Sequence, residues 1–135
     1  MDNVELVRGA YAAFAAGDVP AVLQLLDPNV EWYEAEHNPY SPGKAFVGPQ
    51  AVLEGVVARI PQDFDGFKID VQRLVGCGET VLAQCRYGGT AKATGEPLDV
   101  QAAHVWDFRD GKVVRWQQYL DTWAWARIFG TSPAQ

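Results

Sequence analysis

Two side chains suited to proton transfer flank a turn signal in the last third of the chain: His104 and Asp121, on either side of Asp110-Gly111. The stretches before and after that pair alternate as strands, and Asp-Gly between alternating segments marks a tight hairpin. Counting by twos puts His104, Trp106 and Phe108 on one face of the first strand. The same count puts Val113, Arg115, Gln117, Tyr119 and Asp121 on one face of the second, with Val114, Trp116, Gln118 and Leu120 on the other. The alternation predicts an imidazole and a carboxylate projecting from neighbouring strands into one pocket. There Asp121 would remove a proton alpha to a carbonyl, and His104 would donate a hydrogen bond to the developing enolate oxygen. Asp121 has a second reading as the N-cap of a helix over Thr122–Phe129.

Other residues surround this pair. Glu34 shares a strand face with Trp32. If Trp32 points inward so does Glu34, and a buried carboxylate must be paired or functional. The alternative is a twist that carries Glu34 to solvent. Trp32, Tyr119 and Phe14 are expected to hold a ring-bearing ligand, with Tyr11 beside Phe14 on a helical stripe and Glu34 or Gln117 setting polarity. Trp106, Trp116, Trp123 and Trp125 make the C-terminal third unusually aromatic, more than a small core buries unaided.

The elements that must place these groups read in order. Val4, Val7, Tyr11 and Phe14 form one stripe of a helix over 3–16, stopped by Gly17. Asp18 caps a second helix with Pro20 in its first turn. A strand over Val30–Glu36 and a loop over 37–48 precede a third helix at 49–60, opened by Pro49 and closed by Pro61. Strands follow at Phe67–Val75, Thr80–Ala91, Leu98–Phe108 and Lys112–Tyr119. Helices first and a strand meander after predict an α+β fold: a strongly bent, mainly antiparallel sheet with three N-terminal helices on its concave side.

The 135 residues, 48% hydrophobic and 21% charged, suggest a single domain over 1–135. A net charge of −6 and no basic stripe argue against nucleic acid. No apolar run reaches a membrane span, and the start lacks the regions of a signal peptide, so a cytoplasmic protein is expected. Cys77 and Cys85 are out of register for a disulfide, and no metal-ligand spacing or cofactor motif is present.

Ala15-Ala16-Gly17-Asp18, Val30-Glu31-Trp32, Phe46-Val47-Gly48-Pro49-Gln50-Ala51-Val52, His104-Val105-Trp106, Asp110-Gly111-Lys112 and Tyr119-Leu120-Asp121 together resemble the SnoaL-like polyketide cyclase family. That family lies within the nuclear transport factor 2-like superfamily, which also holds ketosteroid isomerase and limonene-epoxide hydrolase. The resemblance covers nearly the whole chain. It implies a cone-shaped α+β barrel, a homodimer through the outer face of the sheet, and an acid/base aspartate at Asp121 beside a histidine at His104. Ketosteroid isomerase matches less well: its catalytic base falls at Trp32, its pocket tyrosine one residue out of step with Tyr11, and its second aspartate at His104. Limonene-epoxide hydrolase needs an Asp-Arg-Asp set, of which Arg86 and Asp121 supply only part.

The expected function is therefore cofactor-free acid/base chemistry, cyclase- or isomerase-like, on a hydrophobic carbonyl compound. A non-catalytic small-ligand binder with the same pocket is the alternative. A protein-interaction module would need an exposed apolar patch.

Overall fold

The computed structural model describes residues 2–129. Asp2 accepts from the Glu5 N–H at 2.9 Å and opens α1, Asn3–Ala15, whose Val7 and Ala10 are buried. Gly17 turns the chain at φ +75°, and the Asp18 carboxylate accepts from Ala21 N–H at 3.2 Å to start α2, Val19–Leu25. The first strand, β1, runs Leu26–Tyr33, earlier than the alternation indicated. After a loop, the two-residue β2, Phe46–Val47, pairs antiparallel with β1.

The expected single helix over 49–60 is broken. A short α3, Pro49–Val52, widens into a π-helical turn, Leu53–Val57, before α4, Ile60–Asp63. The widened turn lets consecutive residues, Val56 and Val57, both reach the core. Gly55 is required there, because a Cβ would lie 2.2 Å from the Phe46 ring. Pro61 sits in the first turn of α4, where its missing N–H costs little, so it does not close the preceding helix.

The remaining strands are β3, Phe64–Cys77; β4, Thr80–Ala91; β5, Pro97–Arg109; and β6, Lys112–Leu120. They are followed by α5, Thr122–Ile128. The sheet order is β2-β1-β6-β5-β4-β3, antiparallel except for the parallel β1–β6 pair. It is a curled, unclosed α+β sheet with the helices on one side. Asp110 and Gly111 both take positive φ (53° and 76°), the hairpin turn their types indicated.

One irregularity decides the interior. Phe108 pairs with Val113, but Asp107 pairs with Arg115, so Val114 is an extra residue in β6. Beyond this bulge the strand's phase is reversed relative to a simple count from Val113. Trp116 and Gln118 face the core opposite Trp106 and His104, and Tyr119 faces out. Among the described residues no helix is long and apolar enough to cross a membrane.

Candidate active site

Between the helices and the concave face lies a cavity of about 70 Å³, several times what one water occupies on that measure. Its walls are aromatic: Trp32, Trp106, Trp116 and Trp125 with Phe14 and Phe67. Trp32 stacks on Trp116 at 3.7 Å between ring centroids, across the parallel β1–β6 pair that sets them side by side. Trp106 meets both rings edge-on. Tyr11, Glu34, Tyr87, His104 and Gln118 are among the polar side chains that reach the wall.

These polar groups form one buried hydrogen-bonded chain. Trp106 Nε1–H donates to Tyr11 Oη at 3.0 Å. Tyr11 Oη lies 2.5 Å from His104 Nδ1, and Tyr87 Oη lies 2.5 Å from His104 Nε2. Gln118 Nε2–H donates to Tyr87 Oη at 3.0 Å, and its Oε1 accepts from Asn38 at 2.8 Å and from Ala35 N–H at 3.1 Å. Asn38 also donates to Glu34 Oε1 at 3.3 Å and accepts from Trp125 Nε1–H at 3.0 Å. The chain ends where Trp32 Nε1–H donates to Glu34 Oε2 at 3.0 Å.

Burial sets the protonation states. His104 is 2% exposed with no carboxylate against its ring, and loss of water holds its pKa down at about 3. It is neutral at physiological pH. Glu34 is 6% exposed; burial pushes its carboxyl up to about 7, against the bonds from Trp32 and Asn38 and the Arg59 charge, which pull it down. Burial also raises the Tyr11 and Tyr87 hydroxyls and pushes the Cys85 thiol up to about 11, so none of the three is ionised at neutral pH. A carboxyl poised near neutrality inside an apolar cavity can accept and return a proton.

Of the residues singled out in the sequence, the structure gathers His104, Trp32, Glu34, Phe14 and Tyr11 at this cavity. It does not gather Asp121, Tyr119 or Gln117, for the reason given by the Val114 bulge. Asp121 is exposed, and its Oδ1 accepts from Ala124 N–H at 3.0 Å as the N-cap of α5. It lies with Tyr119 and Gln101 in a surface hollow on the other face of the sheet. The expected contact between His104 and Asp121 is not formed; two tyrosines hold the ring instead. Tyr119 is 59% exposed, and Gln117 is half-buried, donating to the Gln118 carbonyl.

The sequence reading missed Tyr87, Asn38, Trp116 and Gln118. Tyr87 had a signal, standing in phase with Val81, Ala83 and Cys85 on an apolar strand face. Gln118 and Trp116 had none without the bulge. Among the described residues no three His, Cys, Asp or Glu side chains are grouped as a metal would need.

A family model described as a SnoaL-like domain matches residues 7–116. A nuclear transport factor 2-like protein from Burkholderia thailandensis E264 is 28% identical, with a TM-score of 0.88 over 93% of this chain and 95% of that one. A nuclear transport factor 2-like protein of unknown function from Burkholderia pseudomallei K96243 is 27% identical, with a TM-score of 0.85 over 95% of this chain and 98% of that one. TerC, co-crystallised with polyporic acid, is 25% identical, with a TM-score of 0.83 over 96% and 98%. No curated protein matches the chain.

Proposed function

Because the chain belongs to the SnoaL-like domain family, we propose that its aromatic cavity performs cofactor-free acid/base chemistry on a small hydrophobic carbonyl compound. Glu34 is the base. It takes a proton from the carbon alpha to the carbonyl, the C–H electron pair forms the C=C bond as the carbonyl π pair moves onto oxygen, and the enolate is reprotonated from Glu34 at the same or a conjugated carbon. The outcome is isomerisation, or ring closure where a second electrophile is near. Stacked Trp32 and Trp116 hold the ring, and the apolar walls exclude water from the enolate.

The observation that carries this reading is Glu34: a carboxyl 6% exposed, lining the aromatic cavity, its pKa raised to about 7. His104 does not itself touch substrate, since both ring nitrogens are engaged by tyrosines; it is a positioning residue. TerC, co-crystallised with polyporic acid, supports an organic small molecule as the occupant.

The test is exchange of alpha protons. Ring-sized ketones such as cyclohexanone and 1,3-cyclohexanedione are incubated with the protein in D2O and followed by proton NMR. Enzyme-dependent exchange is expected and is lost in Glu34→Gln. Ketones that bind without accelerated exchange would overturn the catalytic reading in favour of a non-catalytic binder. The protein is also proposed to form a homodimer through the outer sheet face, where Leu82 and Tyr119 are 47% and 59% exposed. Sedimentation at roughly tens of micromolar should show the dimer, and a monomer would count against it.

A further inference from the structure

The neutral charge of His104 permits a proton count around it. A neutral imidazole has one N–H and one lone pair, so it accepts from only one of its two tyrosines. Tyr11 Oη already receives Trp106 Nε1–H at 3.0 Å and the Cys85 thiol at 3.9 Å. The Cys85 thiol also lies 4.0 Å from His104 Nδ1; when it donates to Tyr11, both lone pairs of Tyr11 are engaged and Tyr11 gives its own proton to Nδ1. The imidazole proton therefore sits on Nε2 and is donated to Tyr87 Oη, which also receives Gln118 Nε2–H. Tyr87 Oη now accepts two bonds, and its own proton has no acceptor in this set. Trp116, which lines the same cavity, carries a second donor without a partner: its Nε1–H is buried and unbonded, and its ring lies 4.6 Å from that of His104. A buried donor without an acceptor is costly, so two at one cavity are a standing demand for an acceptor.

We propose that the Tyr87 hydroxyl and the Trp116 indole N–H together bind a single oxygen acceptor of the ligand. The ligand class is then a compact, ring-sized molecule presenting a carbonyl or enolate oxygen toward His104 and no donor or cation at that end. Trp116 is thereby a specificity-determining residue as well as a wall. The inference rests on the cavity being the ligand site proposed above. It adds which end of the ligand faces β5 and β6, leaving the alpha carbon toward Glu34.

The probes are cyclohexanone and methylenecyclohexane, equal in shape and differing in the acceptor oxygen. Dissociation constants for both are measured by NMR titration on wild type, Trp116→Phe and Tyr87→Phe. The preference for ketone over alkene should fall about tenfold in each variant, the worth of one hydrogen bond to a buried acceptor. On wild type alone, the Trp116 indole N–H resonance should move downfield with the ketone and not with the alkene, so the test survives a variant that fails to fold. Equal shifts with both probes, or an unchanged preference in the variants, would overturn the proposal. Proton exchange that persists without any Trp116 or Tyr87 dependence removes this inference and leaves the acid/base reading standing. A Trp116-dependent ketone preference without exchange does the reverse.

Discussion

The two faces of β6 carry the same chemistry in opposite settings. On the concave side Gln118 is 4% exposed and joins Tyr87, Asn38 and the Ala35 amide. On the outer side its neighbour Gln117 reaches only a backbone carbonyl. The carboxylates divide likewise. Glu34 is enclosed between Trp32 and Asn38 with its pKa raised, whereas Asp121 stands in solvent and caps a helix. Residue type does not separate these pairs. Enclosure does, and along β6 the enclosed face is set by one extra residue, Val114. A side chain acquires catalytic potential here from the face it is given.

The largest effect that would break this contrast is kinetic. Glu34→Gln should lower enzyme-dependent proton exchange by on the order of 10² or more, as loss of a general base does, while Asp121→Asn should change it by less than about threefold. The reverse ranking, measured on the same ketones, would move the site to the outer face of the sheet.

A second contrast lies in stability against pH. Glu34 has a folded pKa of about 7, above its ordinary 4.5. Its contribution is fully present below pH 4.5 and is lost as pH rises through about 7, amounting to about 3 kcal/mol at most. His104 has the opposite sign. Its folded pKa of about 3 lies below 6.5, so its contribution is present above pH 6.5 and is lost as pH falls toward 3. Between 4.5 and 6.5 the two oppose each other in wild type. In Glu34→Gln only the histidine effect survives. Denaturant titrations should show that variant gaining stability steadily from pH 4.5 to 6.5 and staying level above, where wild type declines. Parallel curves would refute the raised pKa assigned to the buried Glu34 carboxyl.

Much of this architecture was readable in the chain. The stripe of α1, the Asp18 and Asp121 caps, the Asp110-Gly111 turn and three of the four long strands follow from local rules whose physics is contained in a few neighbouring residues. Trp32 and Glu34 were correctly placed on one face for the same reason. What was unreadable is non-local. The Val114 bulge leaves no mark in composition, and it reverses every assignment after it in β6. The parallel pairing of β1 with β6, which stacks Trp32 on Trp116, joins residues far apart in sequence. Asn38 looked like an ordinary loop residue, yet it links Glu34, Gln118 and Trp125.

The neighbouring glutamines sharpen the comparison at lower amplitude. Gln118→Leu strips a donor from Tyr87 and an acceptor from both Asn38 and the Ala35 amide, leaving buried groups unpaired. It should cost about 2–3 kcal/mol in urea unfolding. Gln117→Leu removes one bond to a backbone carbonyl at a half-buried position and should stay within about 0.5 kcal/mol. Similar losses in both would mean that the inner network contributes no more than surface polarity does.

The smallest effect concerns Asp121 itself. Asp121→Ala removes the acceptor for the Ala124 N–H and should destabilise by about 1 kcal/mol, whereas Asp121→Asn keeps a capping oxygen and should cost only a few tenths. That ordering identifies the cap, whereas loss of a base would show in turnover of both variants rather than in stability. The cap also reaches the cavity indirectly: α5 carries Trp125, whose indole N–H holds Asn38 in place beside Glu34. Fraying α5 should therefore loosen Asn38 and raise the KM of ketone exchange in Asp121→Ala modestly, with kcat nearly unchanged. A kcat collapse in Asp121→Asn, with the fold intact by circular dichroism, would restore Asp121 as the proton acceptor and make the enclosed carboxyl of Glu34 a structural group.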